Sequence, residues 1–214
     1  MPKKTRDVIV ASSDWTVPSE DGLHRRTIMK GAAWTVPVVA VSVATPAAAA
    51  STPFVCPTVP ASSDWTGPAG ITGSTSGTGS YQWNKNEWEN TKDATTANSL
   101  SYYIEFSFKG VAGHNYIFNW SAYANGIGNN VSYVAYDTII NGTTVNTAST
   151  DGNAGAGVSY LDPTTQTPTS ASYTFTPTAD GTYTFRYRIR LSQLNSKQIA
   201  NHNVAIKMPT LTCS

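Results

Sequence analysis

The sequence predicts an all-β protein, an antiparallel β-sandwich preceded by a cleavable signal peptide, and three observations carry that expectation. From Leu100 onward, apolar and polar residues alternate in one segment after another, the period of a strand with one buried face. Gly, Asn, Asp and Pro cluster between those segments, where turns belong. Charged residues make up only 13% of the chain. Thr, Ser, Asn, Gly and Tyr stand in their place, which suits strands with hydroxylated outer faces better than helices.

The signal is read from His24 to Ser51, HRRTIMKGAAWTVPVVAVSVATPAAAAS. Paired Arg25 and Arg26 precede an uncharged run rich in Ala and Val, which ends in small residues. That order of basic, apolar and small regions is a removable export signal, with Ala48 and Ala50 at the cleavage site and cleavage expected after Ala50. As a transmembrane anchor the run is weak, broken by Thr35, Pro37 and Ser42, so no membrane span is expected once it is removed. HRRTIMK resembles the twin-arginine (Tat) leader, in which two arginines precede a variable residue, two apolar residues and often a lysine. The resemblance extends to leaders of small secreted or surface proteins of Gram-positive bacteria, and it implies Tat export to the envelope or the medium. His24 stands where that pattern has Ser or Thr, which leaves an ordinary Sec signal as the alternative.

Residues 1–50 are thus expected to be the signal peptide, and the mature chain has room for one domain with a proper core. Its nine acidic and eight basic side chains nearly cancel, so no attraction for nucleic acid is expected. Cys56 and Cys213 are the two cysteines of the chain. An even count in an exported protein favours a disulfide, which would tie the first strand to the last and stabilise by roughly 4–5 kcal/mol through loop closure. The alternatives are a metal site, which has too few partners nearby, or two free thiols, and no cofactor is expected.

Residues 51–99 read as an irregular segment packing on the sandwich. Pro53, Pro57, Pro60 and Pro68 exclude a continuous central strand, GITGSTSGTGS reads as a loop, and Trp65 is placed at the sandwich edge as a plug. ASSDWT occurs at both 11–16 and 61–66, a repetition with no structural explanation. Residues 100–214 carry the main strands. Leu100, Tyr102, Ile104, Phe106 and Phe108 face inward, and after turn chemistry at Gly110–Asn115 so do Tyr116, Phe118, Trp120 and Ala122, as the return arm of a hairpin. A strand near 131–140 leads to Asn141-Gly142, a strong hairpin signal because both residues tolerate positive φ, and Thr143 to Thr150 pairs back. A short strand is expected near Val158–Leu161. The best-defined hairpin is SYTFTPTADGTYTFRYRIRL: Tyr173, Phe175, Tyr183, Phe185, Tyr187, Ile189 and Leu191 face inward, and Arg186, Arg188 and Arg190 face outward. The last strand, Asn203 to Thr212, buries Val204, Ile206 and Met208.

Two sandwich families offer likenesses. DGTYTF, Asp180 to Phe185, resembles the tyrosine corner of immunoglobulin-like domains, which implies that the Tyr183 hydroxyl bonds to backbone. Phe185 stands where those domains have an inter-sheet cysteine. The order AGHNYIFNWSA, an NG hairpin, YTFTPTADGTYTFRYRI and NHNVAIKMP is similar to jelly-roll carbohydrate-binding modules. Those often carry acidic residues before the final strand, where this chain has His202 and Asn203.

Candidate chemistry is sparse. His114 and His202 lack zinc spacing, and no phosphate loop, G-x-S-x-G or G-x-G-x-x-G is present. Glu87 and Glu89 beside Trp83 and Trp88 are a combination glycosidases use, but a carboxylate pair in a polar loop is ordinarily solvated. Tyr81, Trp83 and Trp88, among amide neighbours, are candidates for a sugar-stacking platform or for a cap on an open end of the sandwich. Arg186, Arg188 and Arg190 are candidates for an anionic polymer such as teichoic acid, or for pairing with carboxylates across the sheet. Sequons at Asn119, Asn130 and Asn141 read as incidental behind a bacterial leader. The expectation is a secreted or cell-surface, non-enzymatic structural or adhesive module whose partner is cell-wall polysaccharide or another surface protein. The alternative is a carbohydrate-binding module using the exposed Trp residues.

Overall fold

The structure, a computed structural model, describes residues 53–126, 132–195 and 203–214. The leader with Arg25, Arg26, Ala48 and Ala50 lies outside them, as do Asn130 and His202. The described residues form a 3-10 turn at Ser62–Asp64 and fourteen strands: β1 Thr66–Gly73, β2 Thr75–Ser76, β3 Tyr81–Asn84, β4 Glu87–Asn90, β5 Asp93–Ala94, β6 Leu100–Gly110, β7 Tyr116–Asn125, β8 Val134–Ile140, β9 Thr143–Ser149, β10 Val158–Tyr160, β11 Thr169–Phe175, β12 Gly181–Leu191, β13 Asn203–Lys207 and β14 Thr210–Cys213.

Two sheets make the sandwich. The first runs β1-β6-β12-β8-β9-β10, and the second runs β11-β7-β13-β4-β3 with β14 also on β7. All pairings are antiparallel except β10 on β9, which is parallel. The expected alternation is realised in β6, where Leu100, Tyr102, Ile104, Phe106 and Phe108 are buried, and in β7, where Tyr116, Phe118, Trp120, Ala122 and Ala124 are. Together with Phe185, Tyr187, Ile189, Val204 and Ile206 they form one core between the sheets. Each of the larger of these side chains contributes about 1.5–3 kcal/mol by leaving water.

Polar tips of the aromatic residues tie the layers together. Trp88 Nε1 donates to the Tyr102 hydroxyl at 3.1 Å, which donates to Asn90 Oδ1 at 2.9 Å. Trp120 Nε1 donates to the Tyr136 hydroxyl at 3.3 Å, and the Tyr187 hydroxyl donates to the Lys207 carbonyl at 3.4 Å. Each link joins a first-sheet residue to a second-sheet residue, whereas the buried Trp65 Nε1 has no hydrogen-bond partner. Burial pushes the Tyr102 and Tyr187 phenols well above their ordinary range and Tyr136 up to about 12.

Two expected hairpins prove to be arches. β6 lies in the first sheet and β7 in the second, so Val111–Asn115 carries the chain across the core, and 176–180 does the same between β11 and β12. The two crossings bond to each other: Gly113 N to Pro177 O at 2.9 Å, and Ala112 N to Asp180 Oδ1 at 2.8 Å. Alternation reports that a face is buried, and strands from opposing sheets satisfy it as well as strands of one sheet do. Asn141-Gly142 does form its hairpin, with φ of 48° and 80° joining β8 to β9. The Tyr183 hydroxyl donates to the Ala179 carbonyl at 2.6 Å, as the corner resemblance implies, though its ring is half-buried rather than in the core. Gly110 lies beneath that ring, where an added Cβ would sit 2.7 Å from it.

Residues 66–90 are more regular than expected. β1 is an edge strand interrupted by register shifts on either side of Ala69, in keeping with Pro68. The β3–β4 hairpin turns at Lys85-Asn86 and pairs with β13 inside the second sheet. Trp65 is buried among Trp83, Phe106, Phe185 and Tyr187. The final strand divides at Met208–Pro209 into β13 and β14, both on β7. Cys56 and Cys213 are bonded, with Cα atoms 5.6 Å apart across a separation of 157 residues.

Candidate functional site

Strand register sorts the candidate side chains onto three surfaces. In β3 and β4, Tyr81 lies opposite Asn90 and Trp83 opposite Trp88, while Gln82 faces Glu89 and Asn84 faces Glu87. The first set points into the sandwich. Trp88 is 2% exposed, and Trp83 packs edge-on against both Trp65 and Trp88. Tyr81 packs against Tyr102. The exposed tryptophan platform is therefore not formed, because the alternation that brings Glu87 and Glu89 outward turns these rings inward.

The outer face of the second sheet belongs to the opposite set. Across it, Gln82, Glu89, Ala205 and Tyr123 fall in one row, and Asn84, Glu87 and Lys207 in the next. Asn119, Ser121, Ser170 and Ser172 continue it over β7 and β11. The Tyr123 hydroxyl donates to Glu87 Oε1 at 2.6 Å, and this bond, with lesser help from burial, raises the phenol to about 12. Asn84 Nδ2 donates to Glu89 Oε1 at 2.8 Å. A cleft of about 210 Å³ opens on this face, lined by Glu89, Tyr123, Asn125, Asn203 and, from the loop after β10, Gln166. Gln166 holds a φ of 55°, in the left-handed region that non-glycine residues seldom adopt. Alternation alone puts Tyr123 and Asn119 on the outward side of their strand but gives them no role; Gln166 carries no signal in the sequence.

The outer face of the first sheet carries the arginines. Arg188 Nη2 meets Asp137 Oδ2 at 2.8 Å, and Arg190 grips both Asp137 oxygens at 2.9 Å. Thr147 Oγ1 donates to Oδ1 at 2.8 Å, and Asp137 is only 2% exposed. Burial alone would raise this carboxyl, but the bonds from Arg190, Thr147 and Arg188 and the Arg190 charge hold it below the ordinary carboxylate range. Arg186 pairs with Glu105 at 2.6 Å and lies 3.8 Å over the Tyr103 ring. Of the two expectations for this ladder, the structure displays pairing with carboxylates across the sheet. Of the two histidine candidates, His114 is the one within the described residues, and it stacks on Phe54 at 3.8 Å.

The class these observations define is an all-β sandwich closed by a disulfide between its first and last segments. No protein-family model matches the chain, and no curated protein matches it. Among solved structures it is similar to the enzymatically active domain of tailspike protein 4 of bacteriophage CBA120, at 11% identity over 71% of this chain and 20% of that one, with a TM-score of 0.36. A likeness of that degree says nothing of activity.

Proposed function

We propose that the protein is exported and works outside the cell as a non-enzymatic structural or adhesive module, with cell-wall polysaccharide or another surface protein as its partner. The Cys56–Cys213 bond carries this reading, because a disulfide closing the whole domain belongs to oxidising compartments beyond the bacterial cytoplasm. The adhesive surface is the outer face of the second sheet. Its carboxylates support binding rather than hydrolysis, since Glu87 is engaged by Tyr123 and Glu89 by Asn84 on an open sheet. Export is tested by replacing Arg25 and Arg26 with lysine. Tat transport predicts that uncleaved precursor accumulates inside the cell; normal secretion of the variant transfers the reading to Sec. The amino terminus of the secreted protein is expected at Ser51 or a close neighbour, and purely cytoplasmic protein would end the proposal.

One observation favours a more specific ligand. The cleft combines an outward aromatic ring with amide and carboxylate groups from Asn125, Asn203, Gln166 and Glu89, the mixture that holds neutral sugars by ring packing and paired hydroxyl contacts. Carbohydrate binding is thus expected through Tyr123 rather than Trp83 or Trp88. Glycoside turnover abolished by Glu87→Gln or Glu89→Gln would instead make the protein an enzyme.

A further inference from the structure

Among the described residues of the two large sheets, five strands pair on one side only, β1 and β10 in the first sheet and β11, β3 and β14 in the second. An unpaired margin is a template for another strand, and proteins blunt it with short strands, bulges, proline or charge. Four of the five are blunted in these ways. β1 contains Pro68 and two register shifts, β10 has three residues, and β3 and β14 have four each. β11 is different. It runs seven residues, Thr169–Phe175, in unbroken register with β7 and contains no proline, glycine or charge. Ser170, Ser172 and Thr174 stand exposed along it.

We infer that β11 is a self-association edge, and that a second copy of this chain pairs with it antiparallel about Ser172. The strand is complementary to its own reverse. A two-fold axis at Ser172 places Ser172 opposite its mate, Ser170 opposite Thr174, Ala171 opposite Tyr173 and Thr169 opposite Phe175. On the outer face every pair is then hydroxyl against hydroxyl, and on the inner face each smaller side chain meets an aromatic one, both favourable cross-strand combinations. The strand carries no charge, so no like charges oppose each other across the axis. The contact is isologous and closes as a dimer, joining the two second sheets into one continuous sheet. A seven-residue strand pair buries less than the roughly 1,200 Å² of a stable interface. The dimer is therefore weak in dilute solution and gains from crowding on a surface. That benefit rests on the adhesive reading, but the pairing geometry does not.

The native cysteines are bonded to each other, so a single introduced cysteine reports cleanly. Across the proposed axis the Cβ atoms at position 172 lie about 4.5–5.5 Å apart, close to disulfide range, whereas those at 170 are four residues, about 13 Å, out of register. With the secreted protein under mild oxidation, Ser172→Cys is expected to cross-link at least tenfold faster than Ser170→Cys alone. A mixture of Ser170→Cys and Thr174→Cys is expected to cross-link as Ser172→Cys does. Sedimentation over a concentration series should show monomer–dimer exchange in the wild type, shifted several-fold toward monomer by Ser172→Lys with no change in melting temperature. A wild type monomeric up to millimolar concentration, a dimer indifferent to Ser172→Lys, or Ser172→Cys cross-linking no faster than Ser170→Cys would each overturn the inference and leave the edge to a strand of another protein. Failure of wall binding with the dimer intact would count against the adhesive reading alone.

Discussion

On the outer face of the first sheet, Arg186, Arg188 and Arg190 meet Glu105 and Asp137; on the outer face of the second, amides, hydroxyls and Tyr123 surround Glu87 and Glu89. The first face satisfies its charge internally. Asp137 is sealed by two guanidiniums and a threonine hydroxyl, so a ligand there would have to compete with bonds already made. The second face is open and nearly uncharged across β7 and β11, and its margin is secured by the bond from β14 to Cys56 rather than by ion pairs. An exposed arginine ladder is thus a poor guide to a binding surface when its carboxylates lie one strand away. On the second face Glu87 and Glu89 are held by single hydrogen bonds from Tyr123 and Asn84 rather than by guanidinium pairs.

The largest expected effect removes the covalent margin. Replacing Cys56 and Cys213 together by serine should cost about 4–5 kcal/mol in urea unfolding, because the unfolded chain regains the entropy of a very long loop. Next is the anchor of the charged face. Asp137→Asn should cost about 3 kcal/mol, the low end for breaking a buried pair, since Arg188 and Arg190 are 45% and 40% exposed and can rehydrate.

Acid titration tests the same carboxylate. Asp137 is depressed when folded, so its contribution is fully present above the unfolded value of about 3.9 and is lost as pH falls through the lower folded value. Asp137→Asn should remove that part of the acid sensitivity. The buried phenols have the opposite sign. Tyr102, Tyr136 and Tyr187 are raised when folded, so their stabilisation is complete below about pH 10 and declines as pH rises toward their folded values. The smallest effect falls on the open face. Tyr123→Phe removes one bond to Glu87 and should cost about 0.5 kcal/mol or less.

Much of the core was legible because side-chain direction in a strand has a period of two. Leu100 to Phe108 and Phe185 to Leu191 declare their buried faces without help from any neighbour. Asn141-Gly142 was legible because a two-residue turn leaves the chain little alternative to a hairpin. The crossings at 111–115 and 176–180 were not, since longer connections permit either a return in one sheet or a step to the other. The inward direction of Trp88 was present in Tyr81-x-Trp83 and Trp88-x-Asn90, a short alternating pair about Lys85-Asn86, but the surrounding Gly, Ser and Asn masked it. The meeting of Arg188 and Arg190 with Asp137 depends on the register between β8 and β12, which are more than forty residues apart, and local pattern carries no such information.

The proposed adhesive role lies on the second sheet and not on the first. It is tested most directly by binding of the secreted mature protein to purified cell wall and its polysaccharides, comparing Tyr123→Ala with Arg188→Gln. Loss of binding in Tyr123→Ala with retention in Arg188→Gln is the predicted result; the reverse pattern, or binding unaffected by either change, would contradict it.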